Sequence, residues 1–534
     1  MVTNIIMTAV VFIASVLVAR YYLHMFQLES YQLDGYIRWL KKNHDKHLGW
    51  TLNIGVGSVA VYYVLVLFLK LFVKDAAALV SGIITLLVFA AGTFLVDRGL
   101  HSAPEKKPLV YTARMKRLYA ALALIAALLS LIIYFIGIDM LSPLLFVAVP
   151  YLALAAGLAM QPVEKAISGW YLNDAKKKLE AREDLIKIGI TGSYGKTSTK
   201  FILATILSEK YDVLATPSSF NTPMGLTRVI REQLADHHEV FLAEMGARHV
   251  GDIAELVDLV HPKYGVLTSV GAQHLETFGD VETVANTKFE LIEGLPEDGA
   301  GFFAADGAEV DKLFERATVK KFRAGLRGAL LDMYAEEIEV GPEGCSFMLK
   351  NSLGEKVSCR TRMLGRHNIQ NIVLACSLAR HLGLTMEQIA RGVSKLEPVE
   401  HRLQLIPGAG GITVIDDAFN SNPVGAKAAL DVLSAFPGRH IVVTPGMVEQ
   451  GEQEEEINRQ FGTQMAYVCD VVILVGKKRT LPIREGLLNG GMDEDNICSV
   501  NTLDEASAIL GQIGRAGDTV LFENDLPDNY SEKQ

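Results

Sequence analysis

The sequence predicts a membrane bundle of α-helices followed by a soluble α/β part, itself divided into a phosphate-loop domain on a parallel sheet and a second α/β domain. Three observations predict it. Long apolar runs are confined to the stretch before Met160. From about Asp184, short β-branched runs alternate with amphipathic ones, which is the pattern of a parallel α/β sheet. Between one such pair lies a glycine-containing loop, Thr191-Gly-Ser-Tyr-Gly-Lys-Thr-Ser198.

The chain has 534 residues, room for about three domains. Half of them are apolar, and the mean hydropathy of +0.24 averages a membrane part with an ordinary soluble part. The formal net charge of -10 gives no reason to expect nucleic-acid binding. Cys345, Cys359, Cys376, Cys469 and Cys498 are far apart with no C-x-x-C pair. That argues against a disulfide framework or a structural zinc site, and fits a reducing compartment.

Five runs, each of about 18 to 23 residues, are long enough to span a bilayer: Val2–Ala19, Thr51–Val73, Ala76–Val96, Leu118–Ile138 and Leu141–Met160. Lys70 lies near enough to an end to snorkel. The first run lacks a basic leader and a small-x-small cleavage site, so it reads as a span and not a signal peptide. Basic residues follow the first span (Arg20, Arg38, Lys41, Lys42, Lys46), the third (Arg98, Lys106, Lys107, Arg114, Lys116, Arg117) and the fifth (Lys165, Lys176, Lys177, Lys178). The positive-inside rule makes these three regions cytoplasmic and the N-terminus external. The expectation is a multi-pass plasma-membrane protein with a five-span region over 1–160 and a cytoplasmic linker helix over 161–183.

In the soluble part, LIKIGIT, EVFLAEMG and YGVLTSV read as strands, with TSTKFILATILSEK as a helix between them. A polar stretch from about Ala329 to Cys359 reads as an antiparallel insertion. KLEPVEHR is the expected linker, dividing a central domain (184–398) from a C-terminal one (399–534). The second domain's strands are GITVIDD, HIVVTPG, DVVILVG and DTVLFEN.

The loop Thr191–Ser198 follows a strand and opens a helix. Its glycines, Gly192 and Gly195, let backbone N–H groups turn inward around phosphate, the helix N-terminus adds positive potential, and Lys196 supplies a cation. Thr197 places a hydroxyl where a phosphate-bound Mg²⁺ needs a ligand. The strict spacing asks for Gly at position 190, which here is Ile190.

An ordered series of motifs follows: Asn221-Thr-Pro-Met-Gly225, Ala243-Glu-Met-Gly246, Thr268–Leu275, Asn286–Glu290, Gly365-Arg-His-Asn-Ile-Gln-Asn371, His401-Arg402 and Asp416-Asp-Ala-Phe-Asn-Ser-Asn-Pro423. With the TGTxGKT-like loop, this series resembles the Mur ligases, which use ATP to join an amino acid or short peptide to a carboxylate. The resemblance runs from about Asp184 to the C-terminus. It implies a P-loop-type central domain of Mur ligase kind and a Rossmann-like C-terminal domain.

Each residue has its own chemistry beside that resemblance. Glu244 ends a strand next to the loop, where a hard carboxylate can hold Mg²⁺ with Thr197; alone it reads as a surface acid. His274 alone is a loop histidine or a cap, and the resemblance implies that it binds a second Mg²⁺. Lys288 alone is a solvated helix face. The resemblance implies a lysine carbamylated by CO₂, which converts a cation into a metal ligand. Asn368 and Asn371 share one helix face, and their amides would read adenine or serve as a cap and a buried contact. Arg402 would bring a cation onto ATP on domain closure, with Asp417 on the ribose or phosphate side and Asp416 structural. The resemblance implies ATP contacts from Gly192, Ser193, Gly195, Lys196, Thr197 and Ser198, and substrate contacts from Asn221, Thr222, Asn420 and Asn422. The catalytic set that the resemblance implies is Lys196, His274, Lys288 and Arg402.

ATP makes a carboxylate electrophilic by giving an acyl phosphate, which an amine attacks; positioned charges supply the catalysis. Two segments, Asp416–Pro423 and Pro445–Gly451, look most like the family branch that adds D-alanyl-D-alanine to a UDP-linked muramoyl tripeptide. The chain departs from that branch in two places. Membrane spans precede the core where a soluble uridine-nucleotide domain is usual. A basic Lys-Gly-Ser-type ending is replaced by Phe522-Glu-Asn-Asp-Leu-Pro-Asp528. The expected partners are a UDP- or lipid-linked peptidyl wall precursor, an amino acid or dipeptide, the membrane and other wall-synthesis proteins, with no nucleic acid. A poly-γ-glutamate synthase-like ligase and a non-catalytic scaffold of a wall complex are the alternatives. The combination of Lys196, Glu244, His274 and Lys288 speaks against the scaffold.

Overall fold

The computed structural model describes residues 2–72, 77–100, 108–138, 141–217, 220–271, 273, 275–326, 330–418, 421–448 and 450–525. The chain divides into two compact units, Met1–Gly169 and Trp170–Leu526.

The first unit is helical. Among the described residues, four helices are long and apolar enough to cross a membrane: Ile5–Leu28, Thr51–Leu69, Ala77–Arg98 and Ala113–Ile136. The fifth apolar run differs from expectation, because it is not one spanning helix. It forms a single turn, Leu144–Val147, and then a helix Val149–Glu180 that continues well past the apolar stretch. Pro150 explains the break: it has no N–H for the carbonyl four residues back, and its ring crowds that carbonyl. The apolar start of the second helix, Val149 to Met160, is about 18 Å long at 1.5 Å per residue, short of the roughly 30 Å of a hydrocarbon core. Leu145, Phe146, Val149, Leu152, Ala153 and Ala156 of this broken segment are nevertheless buried among the helices of the unit. Tyr36 donates to the Pro150 carbonyl at 3.0 Å, and Arg117 grips Glu164 with two bonds of 2.7 and 2.8 Å.

The second unit contains two sheets. The first has nine strands: β1 (Ile186–Thr191), β2 (Val213–Ala215), β3 (Val240–Glu244), β4 (Tyr264–Leu267), β5 (Ala300–Ala304), β6 (Lys320–Gly325), β7 (Met333–Gly341), β8 (Gly344–Asn351) and β9 (Lys356–Thr361). Their order is β2-β3-β1-β4-β5-β6-β7-β8-β9. Pairing is parallel from β2 to β7 and antiparallel over β7–β8–β9. The stretch read as an insertion is thus the far edge of the same sheet, since β6 pairs β7 at Ala324 and Gly325. β1 lies between β3 and β4, so successive connections leave it toward opposite sides. Such a switch point opens a crevice at the carboxyl end of the strand.

The second sheet has six strands: β10 (Gln404–Pro407), β11 (Thr413–Asp417), β12 (His440–Thr444), β13 (Val471–Val475), β14 (Ile497–Val500) and β15 (Thr519–Glu523). Their order is β10-β11-β15-β12-β13-β14, parallel except for β10 against β11. β10 and β14, four residues each, escape the sequence pattern because neither is long enough to show a period.

Candidate active site

The Thr191–Ser198 loop caps β1 and leads into the helix Lys196–Leu207. Its shape depends on glycine. A Cβ on Gly192, at φ +149°, would lie 2.0 Å from Thr268 Oγ1, and one on Gly195, at φ +79°, 2.8 Å from Asn371 Oδ1. The loop is latched to the end of β4: Ser193 N–H donates to Ser269 O at 2.6 Å, Tyr194 N–H to Ser269 Oγ at 3.1 Å, and Thr268 Oγ1 to Tyr194 O at 2.5 Å. The Lys196 amine folds back onto the loop carbonyls of Gly192 and Ser193, at 2.7 and 2.9 Å. Burial lowers its pKa to about 8, against the pull of Glu244 and with a push from Arg402.

Glu244 ends β3, the neighbour of β1. It is 1% exposed, and both of its oxygens are engaged. Oε1 accepts from Thr197 Oγ1 and Asn221 Nδ2, each at 3.1 Å, and Oε2 pairs with Lys200 Nζ at 3.0 Å. Lys200 was not among the sequence candidates. The available signal was its position three residues after Thr197, which puts both on one helix face. Thr197 Oγ1 and Glu244 Oε1 fit a magnesium ion, because adjacent ligands at right angles on bonds of about 2.1 Å stand about 3 Å apart.

Lys288 is not a solvated residue. On the helix Val281–Glu293 it is 1% exposed, and among the described residues its amine makes no hydrogen bond; the Phe278 ring centroid is 6.0 Å away. Burial first, then repulsion from Lys196, lowers its pKa to about 7, against Asp252 and Glu290. Glu290 is committed to the N–H groups of Gly251 and Ala254, both at 2.9 Å. A buried lysine close to neutral is the form that combines with CO₂. His274 and Asn420 lie outside the described residues.

From the helix Arg366–His381, Asn371 reaches the loop at Gly195, while Asn368 Nδ2 donates to Leu364 O at 2.8 Å. Beside them His367, also missed in the sequence, is lowered to about 4 by burial and by Arg402. Arg402 faces Asp417, Glu244 and Glu523. Burial raises Asp417 to about 6, against Arg402; its Oδ1 accepts from Leu403 N–H at 3.2 Å. Asp416 instead holds His401 Nδ1 at 2.7 Å. Ser198 is buried in the first turn after the loop. Thr222 and Asn422 are occupied as helix caps, accepting from Gly225 N–H at 3.2 Å and Gly425 N–H at 2.9 Å. Asn221 is turned to Glu244.

Loop, carboxylate, buried lysine and arginine therefore meet in one crevice at the carboxyl end of β1. Residues 190–379 match the Mur ligase middle domain, and residues 401–523 match the Mur ligase glutamate ligase domain. The UDP-N-acetylmuramoyl-tripeptide–D-alanyl-D-alanine ligase of Bacillus subtilis is 29% identical over 339 residues, 63% of this chain and 72% of that protein. The enzyme of the same name from Escherichia coli is 34% identical over 295 residues, 54% of this chain and 64% of that protein. Its counterpart from Mycobacterium tuberculosis is 31% identical over 358 residues, 63% of this chain and 69% of that protein. Among solved structures, MurF from Acinetobacter baumannii superposes with a TM-score of 0.61 at 26% identity, covering 67% of this chain and 78% of that one. MurF ligase from Thermotoga maritima in complex with ADP gives 0.60 at 25% identity, covering 67% and 80%.

Proposed function

The chain belongs to the Mur ligase family of ATP-dependent amide ligases, and from that premise we propose that it joins D-alanyl-D-alanine to the peptide of a peptidoglycan precursor. The observation that carries the proposal is the meeting of Lys196, Glu244 and Lys288 in the crevice beside β1, in a chain whose relatives are named for this reaction.

Gly192, Ser193, Gly195, Lys196, Thr197 and Ser198 hold the ATP phosphates. The Lys196 amine exchanges its loop carbonyls for phosphate oxygens. Asn368 and Asn371 serve the adenine, and Arg402 with Asp417 the phosphate or ribose side. Thr197 with Glu244 would hold one magnesium ion, and His274 with Lys288 a second; such ions would neutralise the charge of the transferring phosphate. The neutral Lys288 nitrogen can add to CO₂, forming an N–C bond and losing its proton, and the carbamate would supply the carboxylate oxygen a metal needs. The acceptor carboxylate attacks the γ-phosphorus and ADP leaves. The dipeptide amine then attacks the acyl carbon, the C–O bond breaks, and phosphate departs with the electron pair while the amine loses its proton. The family resemblance assigns the substrate side to Asn221, Thr222, Asn420 and Asn422, of which Thr222 and Asn422 serve as helix caps here.

The bundle that precedes the ligase part favours a membrane-borne acceptor, since confinement replaces bulk encounter. Purified enzyme in nanodiscs, assayed by product mass, tests this. Higher catalytic efficiency on the lipid-linked tripeptide is expected; equal or better efficiency on the UDP-linked one would remove the lipid reading. The basic loops favour catalytic domains in the cytoplasm, with the broken segment Leu141–Met160 completing the last crossing. Irregular backbone at membrane depth is tolerated where protein covers it, and around the break Leu145, Phe146 and Val149 are buried. Reporter fusions after Ile138 should read external and those after Gln161 internal; the same side for both would contradict the topology.

A further inference from the structure

At the carboxyl edge of the second sheet, the strand register sets two acids side by side. β11 and β15 run parallel with Asp417 opposite Glu523. Glu523 is 1% exposed. Its Oε1 accepts from the Ser421 hydroxyl at 2.5 Å, and the Ser421 N–H is held by Asn524 Oδ1 at 3.1 Å. Its Oε2 is buried without a donor among the described residues. The group that faces it is the carboxyl of Asp417.

Among the described residues, the cation that faces the pair is Arg402. Arg402 faces both acids from the segment before β10 and also faces Glu244. Asp416 adjoins Asp417 but is taken by His401 Nδ1 at 2.7 Å and the Ala418 N–H at 3.1 Å. β12, on the other side of β15, places Val443 opposite Phe522 and brings no charge in that register. Two carboxylates in contact are acceptors only, so they repel unless one keeps a proton, in which case it donates to the other.

We propose that Glu523 keeps its proton and donates it to the Asp417 carboxylate, as a positioning residue that fixes Asp417, and through it Arg402, on the nucleotide side of the site. The inference rests on the reading of Arg402 and Asp417 as ATP-side groups. The electrostatics agree with the geometry. Burial, then Asp417, pushes Glu523 well above the ordinary carboxylate range, while Asp417 ionises lower, at about 6. Near pH 7 the pair then holds one proton and one negative charge, which Arg402 matches.

Two variants and one spectrum test it on the full-length enzyme in detergent. Glu523→Gln keeps the size and a donor, whereas Glu523→Leu keeps only the size. Glu523→Gln should retain kcat/KM for ATP within about threefold of wild type, and Glu523→Leu should lose about tenfold or more, the worth of one buried hydrogen bond. The infrared difference between wild type and Glu523→Gln at pH 7 should contain the C=O stretch of a protonated carboxylic acid, displaced in D₂O. A glutamine variant as impaired as the leucine one, a leucine variant as active as wild type, or a missing acid band would each overturn the proposal. If Glu523→Leu does not fold, the glutamine variant and the spectrum decide alone. A wild-type enzyme without ATP-dependent ligation would instead overturn the functional reading, and the acid band would still report the proton.

Discussion

Removing the Lys200 ammonium should destabilise the ligase part sharply, and removing the Glu244 charge as well should restore much of the loss. Lys200 and Glu244 pair at 3.0 Å with side-chain exposures of 0% and 1%, so neither charge is solvated by water. Lys200→Met deletes the cation that touches the carboxylate; Thr197 and Asn221, two neutral donors, remain bonded to it, and Lys196 and Arg402 are the charges that still face it without replacing that contact. Stranding one partner of a buried pair costs about 3–5 kcal/mol. For a domain of some 150–250 residues, each kcal/mol moves the melting temperature by about 2–4 °C, so a fall of roughly 6–20 °C is expected. Glu244→Gln added to Lys200→Met replaces the stranded charge with a neutral amide, and the double variant should melt above the single one. Thermal unfolding of the full-length protein in detergent measures all three. A fall of under about 2 °C for Lys200→Met, or a double variant melting below it, would refute the account of a buried, mutually dependent pair.

Lys196→Ala should abolish turnover while leaving the melting temperature nearly unchanged, because among the described residues its amine bonds loop carbonyls alone; turnover near wild type would remove the loop from the site. Lys288→Ala should be inactive and Lys288→Glu partly active, since glutamate supplies the carboxylate that a carbamate would; small added carboxylates should partly rescue the alanine variant, and an alanine variant as active as wild type would exclude Lys288. In CO₂-depleted buffer, Lys288→Met should stabilise the protein more at about pH 6 than at about pH 9.5. The folded pKa of about 7 lies below the unfolded value of about 10.4, so the burial penalty is full below 7 and relieved as pH rises toward 10.4. A gain independent of pH would contradict the lowered pKa.

What the sequence made legible was whatever depends on local pattern. The apolar runs follow from composition, and the loop from glycines and a lysine between a strand and a helix. The broken fifth run escaped because hydropathy counts Pro150 as one residue among twenty, while the backbone counts it as a missing donor. Lys200 and Glu523 escaped for a different reason. Each acquires its meaning from a partner on a different element, Glu244 at the end of β3 and Asp417 on β11, and that pairing is fixed only by how helix and strands assemble. Thr222 and Asn422 show the converse. Their residue type, just before a proline, suits a helix cap as well as a substrate contact, and the structure engages both as caps.

The central claim is ligation through an acyl phosphate, and the fate of one oxygen tests it most directly. Purified enzyme would be incubated with ATP, Mg²⁺, D-alanyl-D-alanine and a precursor tripeptide whose acceptor carboxylate carries ¹⁸O in both positions. Mass spectrometry should find the pentapeptide product with a single retained label, and released phosphate carrying the other ¹⁸O, because the oxygen that attacks phosphorus leaves with it. Product without label in phosphate would contradict the acyl phosphate, and phosphate release with no product would contradict the ligase.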